Sequence, residues 1–101
     1  MKIKVWLDDI RPMPNGYDLH VQTAAEAIDI LRTNTVECIS LDHDLGEAVN
    51  GTGYDVAKFI EAGAIEGSVE KIDVLFHSAN PVGVGNMRSA IKNALKAWLP
   101  Q

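Results

Sequence analysis

Apolar and polar residues alternate from the first positions, with Ile3, Val5 and Leu7 on one side and Lys2, Lys4 and Trp6 on the other. Such period-two alternation predicts a strand, and this one runs into two carboxylates, Asp8 and Asp9. The stretch Arg11-Pro12-Met13-Pro14-Asn15-Gly16 cannot extend it, because two prolines and an Asn-Gly pair make a loop. Tyr17 to Gln22 fits a short second strand. Thr23 and Glu26 have the spacing of a capping box, and the helix they open carries Ala24, Ala27, Ile28 and Leu31 on one face, ending near Asn34.

Glu37 to Leu41 predicts a third strand, followed by Asp42-His43-Asp44. Leu45 to Gly53 reads as a glycine-containing loop. Tyr54 to Ala62 reads as a helix with Val56, Phe59 and Ile60 on its apolar face. Lys71 to Phe76 predicts a fourth strand, followed by His77-Ser78 and Asn80-Pro81. Gly83 and Gly85 are expected to bend the chain into a final helix starting near Gly85-Asn86, with Val84, Met87, Ile91, Leu95 and Trp98 as its buried stripe. Strands alternating with helices predict an α/β fold with a parallel sheet, since parallel neighbours need long crossovers.

That topology gives the polar residues a meaning. In a parallel sheet every carboxyl end lies on one edge, where open α/β sheets place their ligands. Asp8-Asp9, Asp42-His43-Asp44 and His77-Ser78 would then meet, if their three strands are neighbours. Clustered carboxylates raise one another's pKa values unless a cation joins them. Oxygen donors suit a hard divalent ion such as Mg²⁺ or Mn²⁺. Asp8, Asp9 and Asp42 are the candidate ligands, with Asp44 beside them. His43 and His77 are candidate general acid and base, because imidazole titrates near neutral pH; the sequence leaves open which is which. Arg11, Ser78 and Asn80 are candidate phosphate contacts, arginine for its bidentate fork. His20, inside the second strand, reads as a surface or structural residue.

Composition narrows the partners. The chain of 101 residues fits one domain, 1–101, with 14 acidic and 9 basic residues and a net charge of -5. That balance argues against a duplex DNA-binding surface, which needs clustered lysine and arginine. It leaves room for a small phosphorylated ligand, a nucleotide or an RNA end, because a bound cation reverses the local field. The lone cysteine, Cys38, forms no internal disulfide and reads as a small hydrophobe on a strand. No membrane span or secretory leader is expected, so the chain reads as cytoplasmic.

An acidic pair after the first strand, an aspartate after the third and a hydroxyl after the fourth resemble the receiver-domain pattern, in Asp8-Asp9, Asp42 and Ser78. In receivers the pair helps hold Mg²⁺, the later aspartate accepts a phosphoryl group and the hydroxyl contacts it. The resemblance implies a truncated receiver or flavodoxin-like three-layer sandwich. Its four-stranded parallel sheet would have the order 2-1-3-4, with helices on both faces. The pattern departs from receivers in two places. The Arg11–Asn15 loop replaces the first crossover helix, and no fifth strand supplies the receiver lysine, since Lys92 and Lys96 fall in the last helix.

Three segments, Trp6-Leu7-Asp8-Asp9-x-Arg11-x-x-Pro14, Ser40-Leu41-Asp42-His43-Asp44-Leu45-Gly46 and His77-Ser78-x-Asn80, are similar to the cyclic-phosphate-processing receiver family of bacteria and phages. That resemblance implies a metal-dependent phosphoesterase acting on cyclic phosphates, such as 2′,3′-cyclic nucleotide or RNA ends, in settings such as RNA repair. The alternative is a non-catalytic or phosphoacceptor module that uses Asp42.

Overall fold

The computed structural model describes residues 2–100. Its elements follow the predicted order: β1 (Ile3–Leu7), β2 (Leu19–Val21), α1 (Ala24–Thr33), β3 (Val36–Leu41), α2 (Gly53–Glu66), β4 (Asp73–Phe76) and α3 (Pro81–Trp98), with a 3₁₀ turn at Ala48–Asn50. The four strands form one parallel sheet in the order β2-β1-β3-β4. This is a small receiver-like, flavodoxin-like sheet, and its order agrees with the sequence reading.

One expected feature is absent: the helices do not cover both faces. Steps from β2 to β3 and from β3 to β4 run in the same direction across the sheet. Right-handed crossovers therefore put α1 and α2 on the same side. α3 packs against α2, where Asn93 Nδ2 donates to Glu61 Oε2 at 2.7 Å. One core joins Val5, Leu7, Ile39 and Leu41 of the sheet to Ala27 of α1, Val56 and Ile60 of α2, and Met87 and Ile91 of α3. The opposite face carries Lys4 and Trp6, Cys38 and Ser40, and Leu75. No helix covers it. The loop that replaces the first crossover helix covers part of this face instead: Trp6 Nε1 donates to the Arg11 carbonyl at 3.3 Å and its ring meets Tyr17 edge-on. The architecture is two-layered, not three-layered.

Helix ends also moved, for readable reasons. α2 starts at Gly53 because Thr52 and Asp55 form a complete capping box, and it ends at Glu66, where Gly67 caps it with a positive φ of 83°. α3 starts at Pro81, four residues before the expected Gly85. Asn80 is its N-cap, accepting from the Gly83 amide at 3.0 Å, and proline suits the first helical turn. Gly83 and Gly85 therefore lie within the helix and bend nothing. Leu95 is exposed, so the buried stripe of α3 is Met87, Ala90, Ile91 and Ala94.

Gly53 is required by packing. A Cβ there would collide with the Asp42 carbonyl oxygen and come within 2.9 Å of Met87 Sδ. Gly53→Ala is expected to destabilise by about 2 kcal/mol, since backbone cannot yield as a side-chain tip can. Thermal melting checks this; an unchanged Tm would contradict the packing argument. Among the described residues no helix is long and apolar enough to cross a membrane.

Candidate active site

The sheet ladder itself brings the site together. Leu7, Leu41 and Phe76 are register partners across β1, β3 and β4. The ladder continues one residue further: the Asp8 amide donates to the Val21 carbonyl (3.1 Å), Asp42 to Leu7 (3.0 Å) and His77 to Leu41 (3.1 Å). Asp8, Asp42 and His77 are thus consecutive neighbours at the carboxyl edge, separated by the spacing of adjacent strands.

Asp8 is the hub. Only 1% exposed, it accepts from the Ile10 and Arg11 amides at Oδ1, both at 2.8 Å. At Oδ2 it meets His77 Nε2 at 3.0 Å and Arg11 Nη1 at 3.4 Å. Burial works to raise its pKa, but the backbone amides and His77 outweigh burial and hold it below the usual carboxylate value. Asp42 shifts the opposite way. Burial and the neighbouring Asp8 charge raise its pKa, against the pull of His77, Arg11 and the Ser78 hydroxyl.

His77 uses both ring nitrogens inside the protein: Nδ1 meets Ser40 Oγ at 2.7 Å and Nε2 meets Asp8. A carboxylate only accepts, so Nε2 carries the hydrogen; the neutral ring then accepts the Ser40 proton at Nδ1. Burial lowers the His77 pKa more than the nearby Asp8 and Asp42 charges raise it. The ring stacks on Trp6 with centroids 3.7 Å apart and planes 8° from parallel. His43 sits elsewhere. Its Nδ1 binds Asp44 Oδ1 at 2.9 Å, and its ring lies under Gly83, where a Cβ would strike it.

A cleft of about 250 Å³ opens over this edge, lined by Asp9, Arg11, Asp42, Asp44, Ser78 and Ala79 among others. One carboxylate oxygen each from Asp8, Asp9 and Asp42 lies within 4.8 Å of the other two. Asp44 lines the cleft but stays outside this trio. Its carboxylate is held by His43, the larger cause of its lowered pKa, and by Asn80 Nδ2 at 3.3 Å. Asn80 caps α3 with Oδ1 and holds Asp44 with Nδ2, so its amide is occupied within the protein. Ser78 Oγ accepts from the Asn80 amide at 3.1 Å, which leaves its hydroxyl proton to donate. Arg11 Nη1 donates to the His77 carbonyl at 2.9 Å and lies 3.9 Å from Asp42 Oδ1.

A hard cation fits this donor set. Three carboxylates meet beside a single guanidinium, and burial, followed by the neighbouring Asp8 charge, disfavours ionised Asp42 without a further cation. Sequence reasoning did not assign Trp6, Ser40 or His20 to the site. His20 Nε2 reaches the Asp8 carbonyl at 2.8 Å. The available signal was strand parity: Trp6 pairs in register with both His20 and Ser40, so all three share the helix-free face below Asp8.

A parallel sheet with an acidic pair after β1, an aspartate after β3 and a hydroxyl after β4 defines a receiver domain. Residues 3–93 match the model of the cyclic-phosphate processing receiver domain, and the chain belongs to that family. Comparisons with curated proteins and with solved structures gave no match.

Proposed function

We propose that this domain is a metal-dependent phosphoesterase that opens cyclic phosphates, with 2′,3′-cyclic nucleotides or RNA ends as substrates. The supporting observation is the meeting of Asp8, Asp9 and Asp42 beside Arg11 and Ser78 in one cleft, in a member of a cyclic-phosphate processing family. Mg²⁺ or Mn²⁺ would be held by Asp8, Asp9 and Asp42, and when bound it would polarise a phosphoryl oxygen and acidify a water.

The chain's own groups supply the rest. Arg11 can release Asp8 and present its fork to two phosphoryl oxygens. Ser78 donates a hydrogen bond to a third. His77 holds Asp8 ionised and oriented. In the reaction water oxygen bonds to phosphorus, the bond from phosphorus to one ribose oxygen breaks, and that oxygen takes up a proton. The proton released by the attacking water balances this uptake; His77 spends both nitrogens internally and His43 does not line the cleft.

The test is a screen of 2′,3′-cyclic nucleotides and cyclic-ended RNA with several divalent ions. Turnover that EDTA abolishes is expected; no turnover with any ion would refute the proposal. A second reading, Asp42 as phosphoacceptor, draws on its position in the cleft at the end of β3, where Ser78 and Arg11 flank it. It predicts a beryllofluoride adduct at Asp42 without turnover.

A further inference from the structure

We infer that the outer face of α3 docks an acidic, leucine-rich peptide segment of a partner protein. The groove lies away from the cleft. It measures about 460 Å³ and is lined by Leu95, Trp98, Leu99 and Pro100, with Lys71, Lys92 and Lys96 around it. Lys92, Leu95 and Lys96 lie three and four residues apart on one stripe of α3, and Leu99, the extended C-cap, continues the groove past the helix end. It is not the core stripe: Met87, Ala90, Ile91 and Ala94 are buried, whereas Leu95 is 44% and Leu99 62% exposed.

The wall opposite is preorganised. Trp98 Nε1 donates to the Val69 carbonyl at 2.8 Å, which fixes the indole as a rigid side of the groove. Rigid walls lower the entropy lost on docking, and aromatic rings make good anchors.

Charge selects the occupant. Three of the nine basic residues of an otherwise acidic chain surround this one groove. None of the three forms an ion pair among the described residues. Lys92 and Lys96 stand a helical turn apart and Lys71 belongs to the segment before β4, so the cations are separated. A fatty acid offers a single carboxylate, whereas a peptide can set several around its apolar side chains. RNA also offers several anions, but Trp98 is the single aromatic ring among the described residues of the lining, and Leu95, Leu99 and Pro100 suit aliphatic side chains better than a run of stacked bases. Aliphatic side chains flanked by glutamate or aspartate match both the floor and the rim.

The experiment is an amide and indole NMR titration of the full chain with an acetylated twelve-residue peptide of leucine and glutamate. Parallel titrations use leucine–glutamine and leucine–lysine peptides, a twelve-nucleotide RNA and dodecanoate. The leucine–glutamate peptide is expected to shift amides of residues 92–99 and the Trp98 indole signal. The exposed double substitution K92E/K96E is expected to weaken it by about tenfold or more, the size of two lost close charge pairs. Melting of the double variant verifies its folding. Four results would overturn the inference: no shift with the leucine–glutamate peptide, equal binding of the leucine–glutamine peptide, preference for RNA or dodecanoate, or shifts that depend on protein concentration alone.

Discussion

Asp42→Asn is expected to raise the melting temperature of the metal-free protein and to remove most of what Mg²⁺ or Mn²⁺ adds. Ionised Asp42 sits 7% exposed beside Asp8, and burial with that neighbouring charge raises its pKa. A carboxyl with a raised folded pKa favours the folded state while protonated, and this advantage is lost as pH rises through that pKa. At neutral pH the ionised group is therefore a burden that an amide relieves. The gain should be roughly 5 °C, the shift that about 1 kcal/mol gives a domain of this size. It should fade in acid, where Asp42 is already protonated. With metal the sign reverses. One of the three anionic donors becomes a neutral amide oxygen, and a hundredfold weaker affinity would cost about 2.7 kcal/mol of ligand stabilisation at saturating ion. A melting series across pH, with and without each ion, reads both effects. A lower Tm without metal combined with undiminished metal stabilisation would remove the cation site from the reading.

His77→Ala should produce the larger loss of stability. The substitution leaves the Ser40 hydroxyl buried without its partner, exposes one face of Trp6 and takes a donor from Asp8. A cavity together with an unsatisfied polar group costs about 3 kcal/mol, or roughly 12 °C or more in Tm. His77→Gln can still donate to Asp8 and should recover part of this. The pH profile separates the ring from its bulk. Burial lowers the His77 pKa, so the unfolded chain binds the proton more readily. Wild-type stability should consequently fall as pH drops through the ordinary histidine value near 6.5. In His77→Ala that component disappears. If the variant melts at the wild-type temperature, His77 is a free imidazole and not the hinge between Ser40 and Asp8.

The sequence made the sheet edge legible because strand period and ladder register are both short-range. Ile3, Val5 and Leu7 fix which way β1 faces, and once β3 is parallel to it Asp8 and Asp42 must be neighbours. The carboxylates were also legible, since two abrupt charges at a strand end have few uses. The rest depended on contacts no spacing encodes. Which nitrogen of His77 faces Ser40, and that His43 lies beneath Gly83, follow from side-chain packing between distant segments. The absent second helical layer was partly written in the Arg11–Gly16 loop, but family resemblance outweighed it. The start of α3 was written in Asn80-Pro81, an N-cap followed by a helix-opening proline; the glycines after it drew the boundary too late.

The uncovered side of the sheet has a chemical corollary for Cys38, which stands half-exposed there. Burial raises its pKa and the carboxylates of Glu37, Asp73 and Asp18 add to this, against the pull of Lys4. The sulfhydryl consequently keeps its proton at physiological pH, and because thiolate is the reactive form, a visible sulfur remains sluggish toward oxidants and electrophiles. The helix-free side of the sheet, on which Trp6 and Ser40 are nevertheless buried, thus leaves Cys38 partly exposed in its protonated form.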